Sequence, residues 1–214
     1  MSVVALIDYG SGNLRSADKA LRRAAAGLNR APDIVVTDQP ETIAAADAVV
    51  LPGVGAFSAC RTALMARTGV AEALEAAVRG RAVPFLGICV GMQLLGARGL
   101  EFGETPGLGW IAGDVARLEP DGARAKVPHV GWNNVDFTPG AALFAGLPAG
   151  VDMYFTHSFA LTRADAAEVV AWSDHGGRFV AAVTAANIAG VQFHPEKSQD
   201  SGLALLANFL RWRP

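Results

Sequence analysis

The sequence predicts an α/β fold, a single domain over residues 1–214 with a central mixed, mainly parallel sheet flanked by helices. Three observations lead there. Short apolar runs recur in the first half, at Val3–Ile7, 48–51 and 84–88, and such runs suit parallel strands buried on both faces. Ala- and Leu-rich helical stretches separate them, the alternation that lays helices over a parallel sheet. Over 109–192, strand-like segments follow one another closely with few helices between them. Those short separations imply hairpins, and so antiparallel strands added to the same sheet.

The elements follow in order. Val3–Ile7 is a strand ended by the turn-rich DYGSGN. A helix is predicted from Leu14 to Ala26 and a strand over Asp33–Thr37. Residues 48–51 form a third strand that stops at Pro52-Gly53. An Ala-rich helical region spans 56–79, with a break near Thr68-Gly69. The strand at 84–88 leads into a helix that begins over 90–97. Strands are then expected at 109–117, 126–136, 151–157, 168–173, 178–183 and 188–193, and a final helix at 199–212. No repeat, low-complexity tract or Pro/Gly/Ser linker divides the chain.

Composition narrows the function. Hydrophobic residues make up 51% and charged residues 18% of the chain, a core-forming balance. Eighteen basic against 20 acidic residues leave a net charge of −2, so neither a nucleic-acid nor a membrane surface is expected. The apolar runs are too short for a membrane span, and MSVVALIDYG lacks the charged start of a signal peptide. Two cysteines, Cys60 and Cys89, do not make a disulfide framework. A cytoplasmic protein with reduced thiols is expected. No His/Cys cluster has metal-ligand spacing, so no metal and no cofactor are expected.

The strongest chemical signal is PFLGICVGMQLL, residues 84–95. An apolar strand runs into Gly87-Ile88-Cys89-Val90-Gly91 and a helix follows, the arrangement of a nucleophile elbow with Cys in place of Ser. A turn that tight leaves no room for side chains two residues either side of the nucleophile. The helix start directs N–H groups and a positive dipole end at the sulfur, which favours the thiolate. The motif alone reads equally as a small buried hydrophobe beside packing glycines. Cys60, inside a helical stretch without flanking glycines, reads as a core residue.

A thiol attacking an amide needs a base that later serves as an acid for the leaving nitrogen. In GVQFHPEKS, residues 190–198, His194-Pro195-Glu196 follows a strand. Residues i and i+2 of an extended chain point the same way, and Pro195 biases His194 toward an extended conformation. Glu196 can then hold one imidazole nitrogen while the other faces a thiol. A surface His-Pro turn with a solvated Glu is the plainer alternative. His129, His157 and His175 have no carboxylate two residues on. The tetrahedral oxyanion of acyl transfer needs two donors. One is the Val90 N–H; the other is sought in the loop Pro52-Gly53-Val54-Gly55, which also reads as a simple glycine turn off the sheet.

Taken together, GICVGMQLL and GVQFHPEKS resemble the class I (triad) glutamine amidotransferases, and the resemblance covers essentially the whole chain. DYGSGNLRS, LPGVGAF, KVPHVGWNN and YFTHSF narrow it to the branch made up of glutaminase subunits of imidazole glycerol phosphate synthases, in histidine biosynthesis. The resemblance implies a reaction, L-glutamine plus water to L-glutamate plus ammonia. It implies a heterodimer with a TIM-barrel cyclase subunit that receives the ammonia. Cys89 would form the glutamyl thioester, His194 would shuttle the proton and Glu196 would orient it. Val90, Gly53 and Val54 would supply the oxyanion hole, with the loop's donor turned away until the partner signals. Gln93, Gly55 and the strand end His157-Ser158-Phe159 would bind substrate. The family more often has Tyr where Phe159 stands, which leaves that position a main-chain role. Trp132, Lys197 and Asn13 would face the partner. Plainer readings are a polar helix residue for Gln93, a core aromatic for Trp132 and a solvated cation for Lys197. Rival functions are a glutaminase for another synthase, a γ-glutamyl hydrolase, and a catalytically dead regulatory subunit.

Overall fold

The structure, a computed structural model, describes residues 2–121, 125–162 and 167–214. In chain order the elements are β1 (Val3–Ile7), α1 (Leu14–Ala26), β2 (Asp33–Thr37), α2 (Pro40–Ala45), β3 (Ala48–Gly53), α3 (Phe57–Ala66), α4 (Val70–Glu75) running into a π turn (Ala76–Gly80), β4 (Phe85–Cys89), α5 (Val90–Gln93), β5 (Arg98–Gly99), β6 (Thr105–Pro106), β7 (Asp114–Arg117), β8 (His129–Phe137), β9 (Val151–His157), β10 (Phe159–Thr162), β11 (Val169–Asp174), β12 (Arg178–Ala185), β13 (Ile188–Val191) and α6 (Gln199–Arg211).

Nine strands form one sheet in the order β2-β1-β3-β4-β13-β12-β11-β8-β9. The first five are mutually parallel and the last four are added antiparallel. This is the mixed, mainly parallel sheet that the two halves of the sequence predict. The parallel strands β3 and β4 are buried at every residue. The outer strand β9 alternates buried and exposed, as a one-sided antiparallel strand does. A second sheet, β10-β7-β5-β6, lies apart from it.

Chain order fixes where the helices go. The crossover from β1 to β2 runs toward one sheet edge, and those from β2 to β3 and β3 to β4 run the other way. Right-handed crossovers therefore put α1 on one face and α2–α4 on the opposite face. The packing agrees, since α1 packs on α6 while α2 packs on α4. Helix α1 buries Ala17, Ala20, Leu21, Ala24 and Ala25, and α6 buries Gly202, Leu205, Leu206, Phe209 and Leu210. Both sets recur at i, i+3, i+4, i+7 and i+8, one stripe of a 3.6-residue period.

Several boundaries differ from the expected ones for local reasons. The helix after Cys89 ends at Gln93 because Leu95 and Gly96 bond three residues back, to the Met92 and Gln93 carbonyls, and tighten the chain into turns. The strand expected from 109 starts only at Asp114, since Gly109 and Gly113 adopt φ values of 68° and 127°. The strand expected from 126 starts at His129, just past Pro128, which has no N–H for a ladder. Helix α2, which was not expected, starts with Pro40 at its first position, where the missing N–H costs nothing. The helical region breaks at Gly69, whose φ of 78° is left-handed. No helix among the described residues is long and apolar enough to cross a membrane.

Candidate active site

In the order β2-β1-β3-β4, the strand sequence reverses between β1 and β3, and clefts form beyond the carboxyl ends of strands at such a point. The turn after β1, the loop after β3, the elbow after β4 and the segment after β13 all converge there.

Cys89 ends β4 with φ 55° and ψ −113°, a strained conformation for a residue with a side chain. The surrounding glycines explain why it is held. A Cβ on Gly91 would overlap the Leu51 carbonyl oxygen, and one on Gly87 would lie 2.5 Å from the Gly91 oxygen. The chain therefore folds back on itself at a distance only glycine allows. The sulfur stands at the mouth of α5, and Cys89 is 3% exposed.

His194 lies opposite, where the chain leaves β13. Its N–H donates to the Tyr154 carbonyl, and its own carbonyl accepts from the Ser198 hydroxyl, so the backbone is pinned on both sides. Nδ1 is 2.8 Å from Glu196 Oε1, and both side chains are 3% exposed. Cys89 is the ring's other electrostatic partner. Burial alone would hold the imidazole pKa down. The interactions with Cys89 and then Glu196 outweigh it and push the value up to about 10. His194 is thus an imidazolium at neutral pH.

Cys89 and His194 open into a cavity of about 520 Å³. Asn13, Val54, Gly55, Val90, Gln93, His157, Ser158, Phe159 and Lys197 line it too, so most of the residues singled out in the sequence meet there. Three stand back from it. Glu196 is behind His194. Gly53 pairs across the strands with Cys89, and a Cβ there would sit 2.7 Å from the Gly91 nitrogen. Trp132 is on β8, 48% exposed and edge-on to Tyr154, so it is not an ordinary core tryptophan. Lys197 lies with its Nζ 5.5 Å from the Tyr154 ring. Gln93 is turned into the protein, with its Nε2 donating to the Phe159 carbonyl at 2.8 Å and to Gln192 Oε1 at 3.1 Å.

The loop after β3 is held by side chains that the sequence did not flag. Tyr9 Oη donates to the Pro52 carbonyl at 2.7 Å, and Ser11 Oγ donates to that of Val54 at 2.8 Å. Cys60 Sγ also donates to Val54, and burial pushes its thiol pKa up, which suits a structural donor and not a nucleophile. The sequence reading also passed over Glu101, Pro128 and Thr156, which line the cavity, and Gln192, buried beside the sulfur. Glu101 is the only acid among the described lining residues, and its Oε2 accepts from the Phe57 N–H. Another cavity of about 520 Å³, lined among others by Arg117, Thr162, Trp172, His175 and Arg178, has no cysteine among its described lining residues, and His175 Nε2 there meets the Lys126 carbonyl.

An elbow thiol, an imidazolium backed by a buried carboxylate, and N–H groups at a helix start can together carry out acyl transfer through a thioester. Comparison with known proteins agrees. The family described as "Glutamine amidotransferase class-I" matches residues 5–212. The chain is 62% identical over 214 residues to "Imidazole glycerol phosphate synthase subunit HisH" of Caulobacter vibrioides, with 100% of both chains covered. It is 54% identical to the protein of the same description from Rhodospirillum rubrum, with 99% of each covered. Among solved structures, one described as a glutamine amidotransferase superposes with a TM-score of 0.70 at 20% identity, over 96% of this chain and 99% of that one, a likeness of fold.

Proposed function

Since the chain belongs to the class I glutamine amidotransferases, we propose that Cys89, His194 and Glu196 are the groups through which it hydrolyses L-glutamine to L-glutamate and ammonia. It is the glutaminase subunit of an imidazole glycerol phosphate synthase, serving histidine biosynthesis. Its partner is the TIM-barrel cyclase, which takes up the ammonia in a heterodimer. The cytoplasm is its compartment, where both thiols stay reduced.

The observation that carries the assignment is the meeting of the elbow sulfur with an imidazolium whose far nitrogen is tied to a buried carboxylate. Because His194 already holds the proton, sulfur attacks the carboxamide carbon as the thiolate. The carbonyl oxygen gains negative charge, which the Val90 N–H at the start of α5 and the Val54 N–H of the loop after β3 receive. One such donor is worth about 10²–10³ in rate, so reorientation of the peptide at Gly53-Val54 is a sufficient switch for a partner to operate. His194 passes its proton to the departing nitrogen and ammonia leaves. It then takes a proton from water as that water attacks the thioester, and Glu196 keeps the ring in register throughout. Glu101 is placed to meet the substrate ammonium. The main chain at 157–159 and Gly55 frames its amino-acid end, and Gln93 holds that frame by its bond to Phe159.

The test is glutamate release from glutamine, with and without the cyclase and its ribonucleotide ligand, beside a Cys89→Ala control. Release that rises with the liganded partner and vanishes in the control is expected. Undiminished release by the control would remove the nucleophile. Preferential cleavage of γ-glutamyl peptides over free glutamine would point to a hydrolase instead.

A further inference from the structure

We propose that Gln192 is a further catalytic residue: its amide N–H donates to the Cys89 sulfur and stabilises the sulfur's anionic form, held in that orientation by Gln93, whose own amide is fixed by the Phe159 carbonyl. The inference rests on Cys89 being the nucleophile.

The geometry leaves these bonds no freedom of direction. Gln192 is fully buried, and its Nε2 lies 3.7 Å from Cys89 Sγ, within the range of an N–H to sulfur bond. A buried amide can present either end, so the question is what fixes it. A carbonyl oxygen only accepts. The Gln93 atom 2.8 Å from the Phe159 oxygen is therefore its NH₂, and that same NH₂ is 3.1 Å from Gln192. The Gln192 atom it meets must accept and so is Oε1, which leaves Nε2 for the sulfur.

A second arm fixes the same carbonyl. His157 Nδ1 is 3.0 Å from the Phe159 oxygen and must carry a hydrogen. His157 Nε2 then accepts from His129 Nδ1 at 3.0 Å, and His129 Nε2 accepts from Asn133 Nδ2 at 3.2 Å. Each ring is thereby neutral with one tautomer, and burial keeps both that way. Phe159 O is the junction at which two amides and two imidazoles become oriented.

The consequence lies at the sulfur. Both of its polar neighbours, His194 and Gln192, present donors. A thiol would need an acceptor for its own hydrogen, and Gln192 Oε1 is turned away to Gln93. A sulfur offered only donors is favoured as the anion. Gln192 is also the neutral member of that pair, so its donor is in place both when the thiolate attacks and when it is expelled from the thioester.

The test uses the full chain and follows alkylation of Cys89 by iodoacetamide against pH, with the Cys89 and Cys60 peptides read separately. Gln192→Met removes the donor. Gln192→Glu keeps the side-chain shape and the acceptor of Gln93 but sets a carboxylate against the sulfur, so it should raise the midpoint further than Gln192→Met. The charged and titratable groups facing Cys89 are His194, Tyr9, Cys60, and, across the cavity, His157, Glu101 and Lys197, and Gln192→Met alters none of them. A hydrogen bond to a charged group corresponds to a rise in the alkylation midpoint of about one pH unit, a tenfold slower reaction below it. The same rise is expected in the acid limb of kcat/KM. A folded variant that alkylates with the wild-type midpoint overturns the proposal. Glutamine hydrolysis that survives Cys89→Ala instead removes the nucleophile, and so separates the two failures.

Discussion

At the scale of single residues, the site is governed by where one proton resides. Glu196 is buried, and its Oε1 bond to His194 is the bond that ties it down, because Oε2 has no hydrogen-bond partner among the described residues. A buried carboxylate in that position depends on a cation beside it. Glu196→Gln keeps the shape and an acceptor but removes the charge that helps raise His194 to about 10. A lower His194 pKa means the ring loses its proton at lower pH, and the leaving nitrogen then lacks its acid. The alkaline limb of the rate profile should therefore move to lower pH, with a kcat loss of about 10²–10⁴ at neutral pH. The profile of kcat against pH decides it, and an unmoved alkaline limb would sink the assignment of Glu196 as orienter. His194→Ala should behave differently, because it leaves the carboxylate alone. A destabilisation of about 3–5 kcal/mol is expected, against a smaller one for Glu196→Gln, where the ring can shed its proton, measured as the denaturant midpoint.

At the scale of elements, the elbow and the loop after β3 form one packed unit. A Cβ on Gly53 would meet the Gly91 nitrogen at 2.7 Å, Tyr9 Oη at 2.9 Å and the Val90 Cβ at 2.9 Å. Gly53→Ala therefore pushes on α5 itself. It should cost about 1–3 kcal/mol by overpacking and depress glutamine hydrolysis even without a partner, and unchanged activity and melting would contradict this packing. The same arithmetic explains what the sequence could and could not disclose. Strand Val3–Ile7 and helix α1 were legible to the residue, because burial on both faces or on one stripe writes itself as composition and period, and the half-exposed edge strand Asp33–Thr37 was legible from its β-branched run. Strands β5 and β6 are two residues long and have no period to read. Strand β10 is separated from β9 by Ser158 alone and was not expected, the expected strand stopping at 157. The Cys89 elbow and the His194–Glu196 pair were legible because each is a local pattern of glycine or proline spacing. Gln192 and Glu101 were not, because their partners lie 103 and 44 residues away and only the fold supplies them.

At the scale of the whole molecule, the histidines pull stability in opposite directions as pH changes. His157 is pushed down to about 3, chiefly by burial, partly offset by the Phe159 carbonyl, with the charges of His129, His175 and His194 lowering it further. Burial and then His175 bring His129 to about 4. An unfolded chain titrates its histidines near pH 6.5. Between that pH and about 4 the unfolded state binds protons that the folded state refuses, so stability falls as pH falls. His194 has the opposite sign. Its folded value of about 10 exceeds the unfolded one. Its contribution is complete below about pH 6.5 and is lost as pH rises toward 10. The two effects leave their joint maximum near neutral pH, where His194 is charged while His129 and His157 stay neutral. Carboxylates add to the acid side of any protein, so the histidine part has to be isolated by difference. In a His129→Asn, His157→Asn double variant, Tm should fall less steeply than in the wild type between pH 6.5 and 4.5, whatever its Tm at pH 7. Parallel slopes would mean that the pair is not held neutral by the fold. The chain of donors leading from β8 to Phe159 would then have lost the fixed tautomers on which its direction depends.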